Sequence, residues 1–330
     1  MRITTSMMSN KYIRNLNKSA NEMYYLNEKV QTGRKFFKGS EDPVSAIKAY
    51  KLRRQYRATE IYDTNIKDVD SFLTMAESNL TEISSNLESV YTSYLRGITG
   101  TMSSESREVI AKELENLQSS ILTSLNGKIG DRYVFGGTSK DVIPFTLDKD
   151  GNLLYKGIDV NDPANKDDLD KLLNETIHID LGLGMTFGND GLNKDTVFDM
   201  SMSGIKFIGY GTDNEGMPNN LYTLIGKIKD ELESPDFSME IINPYIEKYE
   251  EQKKQVLVGI TDLGSKTNYL EFLKLRNEDN QFNLNEKILE VEYVDPAESI
   301  VDFIMQRYSY NAALSMGNKI LDNSFIDFMK

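Results

Sequence analysis

The stretch Tyr62–Tyr94, YDTNIKDVDSFLTMAESNLTEISSNLESVYTSY, decides the fold. Within it Tyr62, Ile66, Val69, Leu73, Ala76, Leu80, Ile83, Leu87, Val90 and Tyr94 recur at alternating spacings of four and three residues. That mean period of about 3.5 keeps one stripe of a long helix turned toward a partner helix, which is the coiled-coil pattern. Weaker versions return near both ends of the chain, and only the middle lacks them. The pattern describes a chain that leaves a helical bundle, builds something else and comes back. Such a layout suits an assembly subunit better than an enzyme.

Working outward, the chain of 330 residues is long enough for two or three domains with a sizeable core. Its formal net charge of -13 disfavours nucleic acid and anionic membrane as partners. The charge is uneven. Residues 1–38 carry eight Lys and Arg against Glu22 and Glu28, a local +6 that leaves -19 for the rest. Those basic residues are scattered between apolar heptad positions instead of clustered, so a solvated helix surface is the preferred reading. The absence of cysteine excludes disulfides, thiolate metal sites and thiol nucleophiles. The opening MRITTSMMSNKYIRNLNKSA has no apolar core of a secretory leader, and no run reaches the roughly 20 apolar residues of a membrane span. These rules alone predict a cytoplasmic protein, unless export uses a route without a cleaved leader.

A first helix is predicted from about Asn10 to Thr32, with Ile13, Leu16, Ala20, Met23 and Val30 on one face and Gly33 at its C-terminal cap. Asp42 before Pro43 reads as an N-cap followed by proline at the first helical position. No further proline occurs before Pro144, and Gly97 and Gly100 divide the long stretch into two helices. The second starts at Ser103 or Ser104 and carries Ile110, Leu114, Leu117, Ile121 and Leu125; a short connection implies an antiparallel pair. Beyond Gly136-Gly137 the composition turns to loops and strands. Phe145 and Leu147, a tight Asp150-Gly151 turn, then Leu153 and Tyr155 predict a hairpin. Ile177, Ile179 and Leu181 alternate as in a half-buried strand, and a short helix is predicted near Lys166–Leu173. Helical pattern resumes at Leu221–Leu232 and from Ile246 through Val291, where Leu263, Leu270, Leu284, Ile288 and Val291 share a track. Asp295-Pro296-Ala297-Glu298 opens a last helix as a capping box, with Ile300, Ile304, Leu314, Leu321 and Phe325 on one seam and Asn311 and Asn318 interrupting it.

The fold class predicted is therefore mainly α: a long antiparallel bundle from the two ends of the chain with a central β-rich insert. The expected domains are terminal helical arms at 1–45 and 292–330, a bundle at 46–138 and 230–291, and a variable domain at 139–229. Antiparallel pairing of the two ends would bury both terminal seams. The arms are marginal by themselves. A seam of four or five groups worth about 1.5–3 kcal/mol each does not offset an ordering cost of about 1–2 kcal/mol per residue over some 20 residues. Both arms are thus expected to be flexible in the monomer and to fold on assembly, which makes Ile13, Leu16, Ala20, Met23, Val30, Ile300, Ile304, Leu314, Leu321 and Phe325 the candidate interface.

Catalysis is not expected, and no cofactor or metal is implied. The lone His178 sits between Ile177 and Ile179, a solvent-facing strand position rather than a ligand or base. Leu181-Gly182-Leu183-Gly184-Met185-Thr186-Phe187-Gly188 hints at a dinucleotide loop, but its last glycine falls one residue late and no helix follows. Asp148-Lys149-Asp150-Gly151 places glycine too early for a calcium loop. Asp167, Asp168 and Asp170 fit a solvated helix start.

Several segments resemble one family. MRITTSMM at the start, TGRKFFKGSEDPVSA at 32–46, LRGITGTMSSESREVIAKELENL at 95–117 and GDRYVFGGT at 130–138 are similar to the hook-associated protein 3 family of the flagellin superfamily. The ending NSFIDF at 323–328 is a loose version of that family's ending. The resemblance covers roughly 1–138 and 245–330. It implies a structural, extracellular flagellar protein exported by the type III route without a cleaved leader. Implied partners are further copies of itself in an annular layer, the first hook-associated protein, flagellin and an export chaperone masking the C-terminal helix. A flagellin filament subunit is the alternative within the superfamily. A needle-tip protein or coiled-coil adhesin would show long helices without the GRYVFGGT-like and DPV segments. An enzyme within 139–229 would need convergent polar residues that the sequence does not display.

Overall fold

A computed structural model describes residues 5–98, 103–188, 191–213, 216–235 and 237–326, the side chains of 5, 195 and 318–326 apart. It divides into two compact units, 61–277 and the combination of 1–60 with 278–330. Helices α1 (Thr5–Thr32), α2 (Pro43–Gly97) and α3 (Ser104–Leu125) open the chain. Short strands β1 (Lys128–Ile129), β2 (Arg132–Tyr133), β3 (Phe145–Leu147), β4 (Leu153–Tyr155) and β5 (Ile158–Asp159) follow, then α4 (Lys166–Leu173). Next come β6 (His178–Ile179), β7 (Phe187–Gly188), β8 (Gly191–Leu192), β9 (Phe198–Asp199) and α5 (Ile205–Ile208). The chain closes with α6 (Leu221–Glu233), α7 (Met239–Glu292) and α8 (Pro296–Ile326). Long helices at both ends around small antiparallel sheets are the fold class read from the sequence.

In the unit 61–277 the α2 seam is the core. Ile66, Val69, Leu73, Ala76, Leu80, Ile83, Leu87 and Val90 are all fully buried, and Val256, Leu263, Leu270 and Leu273 of α7 belong to the same cluster. Tyr249 Oη donates to the Leu87 carbonyl at 2.7 Å inside that core, and burial pushes its hydroxyl well above the ordinary tyrosine range. Helix α3 runs antiparallel to α2, as expected: Arg96 pairs with Glu113 at 2.8 Å, and Asn86 Nδ2 donates to Ser120 Oγ at 3.0 Å. Ser103 caps α3, its side chain accepting from the Ser106 amide. Helix α7 starts at Met239, earlier than the Ile246 read from periodicity. Ile242 and Ile246 are both buried, so packing extends the helix through Pro244. Proline costs one intrahelical bond at that point.

The β3–β4 hairpin forms with Phe145 opposite Tyr155, and Gly151 at φ +80° supplies the left-handed turn residue. Its inner face buries Phe145, Leu153 and Tyr155. The segment 132–138 folds over it: Val134 and Phe135 are buried, and the Tyr155 hydroxyl donates to the Phe135 carbonyl at 3.1 Å. Burial pushes the Tyr155 hydroxyl up to about 12. Gly137, at φ +59°, lets Thr138 reach Glu175, whose Oε2 accepts from Thr138 Oγ1 at 2.6 Å and Lys156 Nζ at 3.0 Å. The loop at Gly182 is structural, since a side chain there would collide with the Tyr62 ring and its φ is +82°. Asn65 Nδ2 and Arg276 Nη2 hold that loop through the carbonyls of Asp180 (2.9 Å) and Gly182 (3.1 Å).

Two outcomes follow. Leu80→Ala empties a site with no exposure, and is expected to cost about 2–5 kcal/mol in urea unfolding of this unit; a loss below that range would mean the seam is not the core. Partial burial raises the Glu175 carboxyl, but hydrogen bonds from Thr138 and Lys156 outweigh it and leave it below its ordinary 4.5. A depressed carboxylate stabilises above its unfolded value and loses that contribution as pH falls through the folded one. Melting followed between neutral pH and the acid region should therefore show a shallower acid decline in Glu175→Gln than in the parent.

Candidate assembly interface

In the unit 1–60 with 278–330 the two ends of the chain meet. Helix α1 stops at Gly33, which adopts φ +71° and donates its amide to the Lys29 carbonyl at 2.7 Å, the cap expected there. Asp42 caps α2, its Oδ1 accepting from the Ser45 amide at 3.0 Å, and Asp295 caps α8 by accepting from the Ala297 amide at 2.8 Å. The two turns bond to each other: the Lys35 amide donates to the Glu292 carbonyl at 2.7 Å and the Val294 amide to Gly33 at 2.8 Å. Glu292 is buried and takes a fork-like contact from Arg53 of α2. Ala49 and Leu52 pack with Ile288 and Val291 beneath this elbow, flanked by Phe36 and Tyr56. Glu41 Oε2 accepts from the Phe37 amide and from Tyr25 Oη, both at 3.0 Å, and the Phe37 amide is the main cause holding that carboxyl below its ordinary value.

Beyond the elbow α1 and α8 pair antiparallel, as the sequence reading anticipates for the chain ends. The stripe that α8 offers to α1 is a different one. Ser299, Phe303, Gln306, Tyr310, Ala313 and Gly317 are its buried or half-buried residues, spaced by four and three. Gln306 Nε2 donates to Ser19 Oγ at 3.1 Å and to Glu22 Oε2 at 3.2 Å. Tyr12 Oη donates to the Ala313 carbonyl at 2.9 Å, lying over Gly317, where a Cβ would come within 2.0 Å of the phenol oxygen. Small and hydrogen-bonding side chains share this contact with the aromatic rings of Phe303 and Tyr310.

Of the residues picked from the sequence, those described on α8 lie off this stripe, while most of those on α1 are half-buried. On α8, Ile300, Ile304 and Leu314 are 45%, 37% and 40% exposed, one residue away from the α1-facing stripe and so rotated by about 100° from it. Asn311 lies on that exposed side too. The side chains of Asn318, Leu321 and Phe325 lie outside the described residues. On α1, Leu16, Ala20, Met23 and Val30 are half-buried and Ile13 is 47% exposed. Among the described residues, end-to-end pairing therefore does not bury both seams: Ile300, Ile304 and Leu314 of α8 stay in solvent, together with Val301, Met305, Tyr308 and Met316. Periodicity of large aliphatic residues finds an apolar stripe but not the mixed one of aromatic, small and hydrogen-bonding residues beside it. The available signal was Ala313 and Gly317 four residues apart on one face, the spacing that lets another chain approach a helix closely.

Among the described residues no group of three or more His, Cys, Asp or Glu is arranged to hold a metal ion. No helix, among those residues, is long and apolar enough to cross a membrane.

Residues 3–138 match the family of the bacterial flagellin N-terminal helical region. The chain is 22% identical to flagellar hook-associated protein 3 of Escherichia coli strain K12 over 322 residues, which is 95% of each chain. Similarity to hook-associated protein 3 thus runs through the central region as well as the ends, further than the segment motifs carry it. In three dimensions the chain is similar to a flagellar hook-associated protein of Vibrio parahaemolyticus, with a TM-score of 0.61 and 20% identity over 77% of this chain and 100% of that one. Flagellar hook-associated protein 3 of Legionella pneumophila aligns with a TM-score of 0.56 at 11% identity over 73% of this chain and 98% of that one.

Gly317→Val is expected to separate the far ends of α1 and α8, read as faster proteolytic trimming of both termini with the unit 61–277 left intact. Trimming at the parent rate would show that Tyr12 over Gly317 contributes nothing to the pairing.

Proposed function

We propose that this protein is the hook–filament junction subunit of a bacterial flagellum. One observation carries the reading: similarity to hook-associated protein 3 extends over 95% of both chains and does not stop at the N-terminal helical region matched by flagellins. On this reading the protein acts outside the cell, reaching its place through the flagellar export route without a cleaved leader. It joins the first hook-associated protein to flagellin, in an annular layer of copies of itself, after release from an export chaperone. It performs no catalysis.

Physical support for an assembly role comes from α8. An apolar stripe left in water by its own chain is what a subunit keeps for its neighbours. The assembly interface is assigned to Ile13, Leu16, Ala20, Met23 and Val30 of α1 with Ile300, Ile304, Leu314, Leu321 and Phe325 of α8. The arms 1–45 and 292–330 would polymerise, 46–138 and 230–291 would form the supporting bundle, and 139–229 would be the variable outer domain.

Deleting the gene should leave bare hooks in electron micrographs, with filament protein shed into the medium as monomer. Normal filaments would overturn the proposal, and loss of the major filament protein itself would make this chain the flagellin. Complementation separates folding from assembly. The double variant Ile300→Asp, Ile304→Asp alters exposed positions, so its circular dichroism and melting should match the parent while filaments fail to return. Full rescue by that variant would remove the α8 stripe from the interface.

A further inference from the structure

The central region holds a cleft that the junction role does not use. A cavity of about 280 Å³ lies among α5, α7 and the segment around β9, lined by Lys194, Asp199, Ser201, Lys206, Asp262 and Lys266, with Glu175 also on its wall. Its acidic and basic groups are not equally engaged. Glu175 accepts from Thr138 and Lys156; Asp199 Oδ1 accepts from the Ile177 amide (3.2 Å), the Ser201 amide (3.0 Å) and Ser201 Oγ (2.8 Å). Asp262 faces Lys206 at 3.5 Å. The carboxylates thus have donors already. Lys266 Nζ has a single long contact, 3.4 Å to the Asp199 main-chain oxygen, and Lys194 is exposed at the rim. An acidic protein therefore presents at this cleft two ammonium groups with donor capacity to spare.

Next to Lys266, one turn along α7, begins a row of aromatic rings. Phe198 is stacked on Tyr269 with centroids 6.4 Å apart and planes at 14°, and Tyr269 on Phe272 at 6.5 Å and 21°. Phe198 is buried, whereas Tyr269 and Phe272 are 44% and 58% exposed. The row is joined to the cleft twice, through Asp199 beside Phe198 and through Lys266 on the helix of Tyr269.

We propose that this cleft with its aromatic row binds an acidic saccharide, a pyranose carrying a carboxylate. The lysines supply charge-assisted hydrogen bonds to the carboxylate. On the cavity wall Thr176 adds a hydroxyl, and Ser201, Ser203 and Asn174, whose donors already serve Asp199, Tyr155 and the Asp170 carbonyl, keep acceptor oxygens for sugar hydroxyls. The exposed aromatic surface of Tyr269 and Phe272 suits the apolar C–H face of a pyranose, which a bare phosphate or sulfate does not possess. The volume lies just below the roughly 300–1,000 Å³ of a drug-sized site, so one sugar unit fits the cleft while the next lies on the rings. The inference is independent of the junction reading, because it concerns binding by the isolated chain.

The test is calorimetric titration of the full chain with a disaccharide containing glucuronate, alongside maltose and inorganic phosphate. Saturable millimolar binding of the acidic disaccharide is expected, with maltose about tenfold weaker or worse, as loss of a hydrogen bond to a charged group requires. Lys266→Met and Tyr269→Ala should each weaken the acidic disaccharide about tenfold with far-UV circular dichroism unchanged, while Lys266→Arg retains binding. Equal affinity for maltose would overturn the role of the lysines, and equal affinity for phosphate would overturn a saccharide. Absence of binding, or binding untouched by both variants, would overturn the site.

Discussion

Burial of the α2 seam is the constraint on which the rest of the unit 61–277 depends. Eight side chains from Ile66 to Val90 sit on one stripe with almost no solvent contact, and a single partner helix covers only part of such a stripe. Cover comes from α7, through Val256, Leu263, Leu270 and Leu273, and from α3, through Ile110, Leu114 and Ile121. Each fully buried group contributes about 1.5–3 kcal/mol. Helix α6 then closes α3 from outside, its Tyr222 carbonyl accepting from Gln118 at 2.8 Å. The β elements attach to this frame by burying Phe135, Phe145, Leu153 and Tyr155 in the same core and by polar contacts such as Arg276 of α7 on the Gly182 carbonyl, because strands of two or three residues bury too little to stand alone.

The terminal unit obeys the same arithmetic with fewer helices. Where α1 meets α8 there are two helices, and a pair buries one stripe from each. What α8 turns inward is Ser299, Phe303, Gln306, Tyr310, Ala313 and Gly317, held largely by hydrogen bonds and close approach; what it turns outward is Ile300, Ile304, Leu314 and Met316. A net hydrogen bond contributes about 0.5–1.5 kcal/mol, less than a buried isoleucine or leucine. The inward stripe therefore specifies register and direction, and the larger apolar gain is left for whatever covers the outward one.

Helix positions and caps were legible in the sequence because their signals are local. Gly33, Asp42-Pro43, Ser103 and Asp295-Pro296 each act within one turn, and the structure uses each as a cap or first-turn residue. The hairpin at Gly151 was legible for the same reason. The inward stripe of α8 was not, since only Phe303 and Tyr310 on it are large and partly apolar, while Ser299, Gln306, Ala313 and Gly317 acquire meaning only beside Tyr12 and Ser19, some 290 residues away in sequence. The lysine cleft was hidden likewise. Lys194, Lys206 and Lys266 are unremarkable in order along the chain, and become a site through the folding of β9 onto α7.

A seam read from spacing states that a helix has an apolar side, without stating which neighbour takes it. For α2 the neighbours lie in the same chain and the stripe disappears from solvent. For α8 the chain supplies a neighbour on the adjacent stripe, one residue round the helix. The distinction rests on volume as much as on polarity. With Gly317 and Ala313 on the inner side the backbone of α8 can approach Tyr12 closely; valine or leucine in their place would hold the helices apart and break the Tyr12 bond to the Ala313 carbonyl. Close approach at Ala313 and Gly317, with the hydrogen bonds of Gln306 and Tyr12, thus fixes the orientation of α8 about its own axis, and that orientation is what keeps Ile300, Ile304 and Leu314 presented together on one open face.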